Sequence, residues 1–290
     1  LAGHGTFIAG LVRLVAPMAR ILPVTVLNDD GVGSAGIIAQ GVVYAVDQGS
    51  HVMVLALGTQ YRSMALADAI AYATSKGVIV VAPVGNGGSP SCLYPAAEST
   101  VLAIGGSDHL DVFGSYSNYN ESIRFCAPGS STLGGGTPIA EECVIGPRPG
   151  GNYFAAEGTS FSTAFTGGIA ALIRAQHPEW SGLPPNAATV WEQVALIIDA
   201  SPFSVSMAAP INSRPRADAS DSVLGGPPAP TLGDLNADSW VDAGDLGLLL
   251  SAWASPLPTD GSLHLSDINI DFSVGADDLG LLLAAWNPAP

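Results

Sequence analysis

Residues 77–88 read GVIVVAPVGNGG, an apolar run that ends in glycines around Asn86. Near-continuous β-branched residues without alternation are typical of a parallel strand that is buried on both faces. Strand-like runs also occur at residues 20–27, 51–57 and 101–105, and helix-like segments separate them at residues 36–48 and 64–75. Strands that alternate with helices predict an α/β fold with a doubly wound, mostly parallel sheet.

The segments that follow differ in composition. A Gly- and Pro-rich, irregular stretch covers residues 127–151, and helices are predicted at residues 160–177 and 186–200. Residues 201–231 are rich in Pro, Ala, Ser and Gly, which predicts a linker. We therefore expect a first domain at residues 1–204, a linker at 205–231 and a second domain at 232–290.

The chain has 290 residues, a formal net charge of −16 and 48% hydrophobic residues. This apolar content is enough for a sizeable core and excludes wholesale disorder. An acidic chain without a basic patch repels polyanions, so we expect no nucleic-acid partner. No apolar run is long enough to predict a membrane-spanning helix. Beyond Arg216 the chain has acidic residues but no Lys or Arg, and such asymmetry indicates two modules with different functions.

The cysteine content and the first residues of the chain further limit the class of protein. The three cysteines are too few for a disulfide scaffold, and their pairing stays open among Cys92, Cys126 and Cys143. The chain begins with Leu1 inside a Gly-rich motif and shows no signal peptide. We expect it to be a fragment whose N-terminal portion is missing.

Three short segments carry side chains suited to acyl transfer. His4 lies between glycines in GHGT, Asn86 follows the buried strand, and Ser160 lies in GTSFS at the start of a helix rich in small residues. Taken singly, each residue has a structural explanation. His4 fits a loop leading into a helix, Asn86 fits a turn position with positive φ, and Ser160 fits a helix N-cap. Together they supply a general base, a hydroxyl nucleophile and an amide donor for an oxyanion.

The order GHGTxxAG, then a strand ending in GN, then GTSxS before an Ala/Gly-rich helix resembles the subtilisin-like serine peptidases, or subtilases. The resemblance extends over roughly residues 1–200. It implies a subtilisin-like fold, hydrolysis of polypeptide substrates, and roles for His4 as general base, Ser160 as nucleophile and Asn86 as oxyanion donor. It also implies that extended substrate lies against two segments, namely Ala56, Leu57 and Gly58, and Ala82, Pro83 and Val84.

The chain departs from the family pattern in ways that bear on activity. The family's catalytic Asp lies on a strand upstream of the His, and only three residues precede His4, so the triad is incomplete in this chain. We expect this fragment alone to be poorly folded and inactive. In the family the Asp-bearing strand lies between the strands that correspond to residues 20–27 and 51–57, where we expect a gap or a forced re-pairing of the two strands. Smaller departures from the family motifs are Ser162, Ala164 and Ala56.

The acidic C-terminal region contains a repeat. GDLNADSWVDAGDLGLLLSAW at residues 233–253 aligns without gaps with SDINIDFSVGADDLGLLLAAW at residues 266–286. Both segments place oxygen-bearing residues at the ligand positions of a twelve-residue calcium loop. An acidic linker would not explain the Leu-rich helices that follow. The predicted calcium ligands are Asp234, Asn236, Asp238, Trp240 through its carbonyl, Asp242 and Asp245, and Asp267, Asn269, Asp271, Ser273 and Asp278.

This repeat resembles the type I dockerin, a pair of calcium loop–helix units. The resemblance implies a small α-helical, calcium-binding domain with a cohesin-like or cell-surface partner. Cohesin recognition often uses a Ser-Thr pair at loop positions 10 and 11, which are Ala243-Gly244 and Ala276-Asp277 here. Both resemblances imply a secreted, extracellular protein.

Two functions fit these patterns. The first is a secreted serine endopeptidase with a calcium-binding C-terminal anchoring module. The alternative is a catalytically inactive subtilase-like scaffold whose repeat serves protein–protein or cell-surface attachment. The joint presence of His4, Asn86 and Ser160 favours the enzyme, because a scaffold has no physical reason to keep all three.

Overall fold

A computed structural model describes residues 3–108, 110–130, 143–180, 190–199, 204–206 and 213–217. The chain divides into two compact units, Leu1–Val223 and Leu224–Pro290. All described residues belong to the first unit. The predicted calcium loops and the dockerin-like repeat lie outside the described residues.

A four-stranded parallel sheet forms the centre of the first unit, with strand order β1-β2-β3-β4. Its strands are β1 Val52–Val54, β2 Ile79–Pro83, β3 Leu102–Ser107 and β4 Ile123–Pro128. The helices are α1 His4–Val15, α2 Ala35–Asp47, α3 Met64–Ser75, α4 Thr159–Gln176 and α5 Val190–Asp199. The predicted α/β fold with a mostly parallel sheet is confirmed.

Strand β2 shows why the sheet is covered on both faces. Val80 and Ala82 point into a core shared with α2 and α3, whereas Ile79 and Val81 point into a core shared with α4 and α5. All four side chains are fully buried, and successive residues of a strand face opposite sides. The apolar run without alternation is therefore the sequence of a strand packed between two helical layers.

Helix α1 packs against α4 on one side and against a hairpin on the other. The hairpin pairs β5 Val144–Arg148 with β6 Asn152–Ala156 in antiparallel register. A Cβ at Gly168 of α4 would lie 2.6 Å from the Cβ of Val15 and 3.3 Å from the carbonyl oxygen of Val12. This glycine therefore allows the two helices to approach at backbone distance.

The strand predicted at residues 20–27 is wrong. No regular element is assigned to residues 16–34 apart from turns, and β1 is an edge strand of the described sheet. Val24 and Val26 instead pack beside α2, where Gly41 leaves room for them. A strand is defined by hydrogen bonds to a neighbour, and no described strand lies beside this segment to provide them.

Five strands were not predicted from the sequence. Strands β4 and β6 had no counterpart in the prediction, and β5 lies inside the stretch expected to be irregular. A two-stranded ribbon, β7 Ser204–Ser206 and β8 Ser213–Pro215, lies within the predicted linker. Its Val205 is fully buried, and the N–H of Ala217 donates to the carbonyl of Cys126 in β4 at 2.9 Å. These contacts join the ribbon and the residues after it to the core of the first unit.

Two further sequence expectations concern thiols and membranes. Cys92 and Cys126 are free thiols, and burial raises the pKa of Cys92 to about 11 and that of Cys126 to about 12. Both thiols are therefore protonated at neutral pH. None of the helices in the described part of the chain is long and apolar enough to cross a membrane.

Candidate active site

Ser160 is the second residue of α4, directly after a glycine with an unusual backbone. Gly158 has φ 144° and ψ 153°, a conformation that side chains disfavour. Its N–H donates to the carbonyl of Gly129 at 3.0 Å, which holds the turn in place. Among the described residues the backbone N–H of Ser160 has no acceptor. The half-buried hydroxyl of Ser160 thus lies at the positive end of an 18-residue helix, beside an unused donor.

Asn86 bonds to the residue next to Ser160. Its Oδ1 accepts from the backbone N–H of Thr159 at 2.9 Å and from the Thr159 hydroxyl at 2.7 Å. Because a backbone N–H can only donate, the bonded atom must be the oxygen, and this fixes the orientation of the amide. The Nδ2 of Asn86 lies over Gly158, 3.0 Å from where a Cβ would stand. The amide therefore caps α4 with its oxygen, while its nitrogen lies over Gly158, the residue before Thr159.

His4 is the first residue of α1, which packs against α4. The ring of His4 lies 6.1 Å from the ring of Phe161, measured between centroids, and Phe7 lies 4.4 Å from the same ring. His4 is half-buried, and burial lowers its pKa. The imidazole is therefore neutral, the form that accepts a proton, at pH 7 and above. No carboxylate of the described residues pairs with it.

The structure therefore brings His4, Asn86 and Ser160 to one place, the N-terminal end of α4. His4 lies beside the residue that follows Ser160, and Asn86 lies beside the residue that precedes it. They come from three elements that are distant in the sequence: the start of α1, the loop after β2 and the start of α4. An imidazole, a hydroxyl and a side-chain amide at one helix terminus form a constellation suited to acyl transfer.

The six predicted substrate-binding residues separate into two groups. Ala56 packs beside the apolar cluster of α1 and α4 that contains Phe7 and Phe161. Ala56 and Leu57 are partly buried, and Gly58 is exposed. By contrast, Ala82, Pro83 and Val84 are buried. Val84 donates its N–H to the carbonyl of Ile104 at 3.1 Å, and its own carbonyl accepts from the N–H of Leu93 at 3.0 Å. The backbone of Val84 is thus already paired within the protein, which leaves residues 56–58 as the more accessible edge.

One residue of the site environment was missed by sequence reasoning. Asn118 lies on the long connection between β3 and β4, and its side chain bonds to the loop that carries Asn86. The segment YSNYN around it has no period and no motif. Its burial, at 3% exposure, is a property of the fold that the sequence does not indicate.

The predicted metal ligands form a set separate from the residues considered for catalysis. In the ranges that the structure describes, no group of three or more His, Cys, Asp or Glu side chains is placed to hold a metal ion. The eleven residues predicted to bind calcium lie between 234 and 278, outside the described residues.

Comparison with known proteins places the chain in a family. The sequence profile of the Subtilase family, Peptidase S8, matches residues 1–202. The chain belongs to the subtilase family. The match spans the sheet, the helices and all three residues at the N-terminal end of α4.

Individual subtilases show the extent of the similarity. The chain is 36% identical over 190 residues to Subtilisin BL of Lederbergia lenta, covering 62% of this chain and 66% of that protein. It is 35% identical over 184 residues to Thermitase of Thermoactinomyces vulgaris, covering 60% of this chain and 62% of that protein. The chain thus spans less than two thirds of the length of these relatives.

Solved structures show the same fold. A lanthipeptide protease matches with a TM-score of 0.65 and 26% identity, over 76% of this chain and 74% of that chain. The Patellamide maturation protease PatA matches with a TM-score of 0.63 and 26% identity, over 77% of this chain and 85% of that chain. These two matches each cover about three quarters of this chain.

Proposed function

We propose that the protein is a subtilisin-like serine endopeptidase. Ser160 is the nucleophile, His4 is the general base, and the oxyanion is held by the Asn86 amide together with the Ser160 N–H. The observation that carries this proposal is the pair of hydrogen bonds from Thr159 to Asn86 Oδ1. They hold the amide at the start of α4 with its two N–H donors turned away from Thr159 and its Nδ2 over Gly158.

The reaction has two halves. His4 takes the hydroxyl proton of Ser160 while the oxygen attacks the substrate carbonyl, and the Asn86 and Ser160 donors stabilise the negative oxygen that forms. His4 then gives the proton to the departing amine, which leaves an acyl ester on Ser160. Water attacks this ester with His4 again as base, and the carboxylic acid and the free serine are released. Every proton that His4 accepts is returned within the cycle.

A covalent probe tests this assignment directly. In the protein expressed from its full coding sequence, we expect a fluorophosphonate to label Ser160, because such probes react with an activated serine and mimic its tetrahedral intermediate. Mass spectrometry of the digested protein identifies the labelled peptide. Ser160→Ala will abolish labelling, and His4→Ala will slow it greatly.

Ser162→Ala is the matched control. Ser162 lies on the same helix but is fully buried, with its hydroxyl donating to the carbonyl of Pro128 at 3.2 Å. We expect this variant to be labelled at the wild-type rate. Absence of labelling in the wild-type protein, with the fold intact by circular dichroism, would instead support the inactive-scaffold alternative. That alternative draws on the lack of a carboxylate partner for His4 among the described residues.

We further propose that residues 232–290 form a calcium-binding, dockerin-like module joined to the peptidase domain by a Pro-rich linker. Its donor set of Asp, Asn and carbonyl oxygens in two loops of identical register suits the oxygen preference of calcium. We infer that the module attaches a secreted peptidase to another protein or to a cell surface. Extracellular calcium would hold these loops folded without any role in bond cleavage.

Calcium removal gives a measurable change. We expect millimolar calcium added to the EDTA-treated full chain to increase helical ellipticity at 222 nm, because ligand binding orders the helices that follow each loop. The double variant Asp234→Ala, Asp267→Ala will lose this response, since it lacks the first ligand of each loop. Identical spectra of the wild-type chain in EDTA and in calcium would contradict the proposal.

A further inference from the structure

Asn118 makes an unusually complete set of hydrogen bonds to a single loop. Its Oδ1 accepts from the N–H of Gly87 at 2.8 Å, from the N–H of Ser89 at 3.2 Å and from the hydroxyl of Ser89 at 3.3 Å. Its Nδ2 donates to the carbonyl of Val84 at 3.1 Å. Its backbone N–H donates to the carbonyl of Gly85 at 2.9 Å. Residues 84–89 therefore wrap around one buried amide.

The shape of this loop depends on two glycines and on hydrogen bonds from the residues around it. Gly85 and Gly88 have φ of 112° and 56°, a region that only glycine adopts readily. A Cβ at Gly85 would overlap the Nδ2 of Asn118, so the close contact requires glycine there. Apart from Asn118, the N–H of Gly88 donates to the carbonyl of Tyr116 at 2.8 Å, the carbonyl of Ser89 accepts from the N–H of Tyr119 at 2.9 Å, and Val84 keeps its bonds to Ile104 and Leu93. Gly85 and Gly88 flank Asn86 and Gly87. The side chain of Asn118 bonds to the loop both before this pair, at Val84, and after it, at Ser89.

Asn86 is the residue that this loop presents outward. Its side chain is exposed and reaches Thr159 at the start of α4. A continuous series of hydrogen bonds thus runs from Asn118 to the loop and from Asn86 to the residue before Ser160. Small shifts of a donor matter at an oxyanion site, because the stabilisation depends on a hydrogen-bond distance of about 3 Å to the developing charge.

We propose that Asn118 is a positioning residue for the oxyanion donor Asn86. It does not touch the substrate, and it acts by holding residues 84–89 in the one conformation that lets Asn86 bond to Thr159. The catalytic part of this inference rests on the proposed peptidase function. The structural part, that Asn118 controls the Asn86–Thr159 contact, stands independently of it.

Amide hydrogen exchange followed residue by residue by NMR measures the structural part. The N–H of Thr159 is protected by Asn86, so its exchange rate reports whether Asn86 is in place. We expect Asn118→Ala to speed exchange by about tenfold at Gly87, at Ser89 and also at Thr159. Asn86→Ala should speed exchange at Thr159 alone.

Asp108→Ala is the matched control for lost stability. Asp108 is similarly buried on the same connection between β3 and β4, and its carboxylate accepts from the N–H groups of Leu110 and Val112, both at 2.8 Å, and not from the loop. In this variant we expect the Thr159 amide to exchange at the wild-type rate. Asn118→Asp serves if the alanine variant fails to fold, because it keeps the acceptor oxygen but places a second oxygen against the Val84 carbonyl. It should speed Thr159 exchange relative to Asp108→Ala.

Kinetics measure the catalytic part. We expect Asn118→Ala to lower kcat with little change in KM, and the double variant with Asn86→Ala to be no slower than Asn86→Ala alone, because both act through the same donor. Faster exchange at Gly87 and Ser89 with Thr159 unchanged would overturn the inference, as would additive losses of kcat. If the wild-type protein cleaves no peptide, the peptidase proposal fails, while the exchange rate at Thr159 still decides whether Asn118 positions Asn86.

Discussion

Replacing Ser160 with alanine will lower kcat for peptide hydrolysis on the order of 10⁶-fold in the protein expressed from its full coding sequence. The reason is chemical, because alanine has no atom that can form the acyl ester. The variant should keep its fold, since Ser160 is half-buried at the start of α4 and its side chain caps no helix. Steady-state cleavage of a chromogenic peptide, with thermal melts of both proteins, measures the two effects separately.

His4→Ala provides the companion measurement for this first prediction. We expect a loss of similar size, because a serine hydroxyl is a poor nucleophile without a base. The double variant should be no slower than either single variant, since the two side chains act as one unit. Losses that multiply in the double variant would show that His4 and Ser160 act independently, and the mechanism proposed for this site would then be wrong.

Asn86→Ala will lower kcat by about 10²–10³-fold while KM changes little, because the amide stabilises charge that is present only in the transition state. It will also lower the stability of the folded state by about 1 kcal/mol, since the oxygen of this amide caps α4. The first effect is measured by peptide cleavage and the second by urea unfolding.

Asn86→Asp separates these two roles. Aspartate keeps an oxygen that accepts from the Thr159 N–H, so we expect the helix cap and the stability to be retained. It lacks the N–H donors and adds a negative charge beside the oxyanion, so kcat should fall at least as far as in Asn86→Ala. If Asn86→Asp retained wild-type kcat, the amide would be a structural cap and not an oxyanion donor.

The parts of the fold that sequence predicted well are those that local pattern determines. Strand β2 is buried on both faces, and its unbroken apolar run indicates this without any knowledge of its neighbours. Helices α2 and α3 were predicted to within about a residue because their apolar spacing follows the helical period. The start of α4 was predicted because serine, which occurs in the segment GTSFS, is favoured at helix N-termini.

The parts that sequence missed depend on long-range pairing. Residues 20–27 have the composition of a strand, but composition cannot supply a hydrogen-bonding neighbour. Strand β4 carries an exposed Arg124 within IRFCAP, which interrupts the apolar pattern. Asn118 has no motif, and its role arises from a contact with a loop 31 residues away. Burial of a single polar side chain becomes visible only in three dimensions.

The glycine at position 168 has a consequence for the proposed reaction. It lies two turns along α4 from Ser160, and it touches α1 near the end opposite His4. Because Ser160 lies on α4 and His4 lies on α1, the spacing of the two helices sets the gap that a proton would cross from hydroxyl to imidazole in this mechanism. One added methyl group at this crossing would widen that gap without altering any group that takes part in the chemistry.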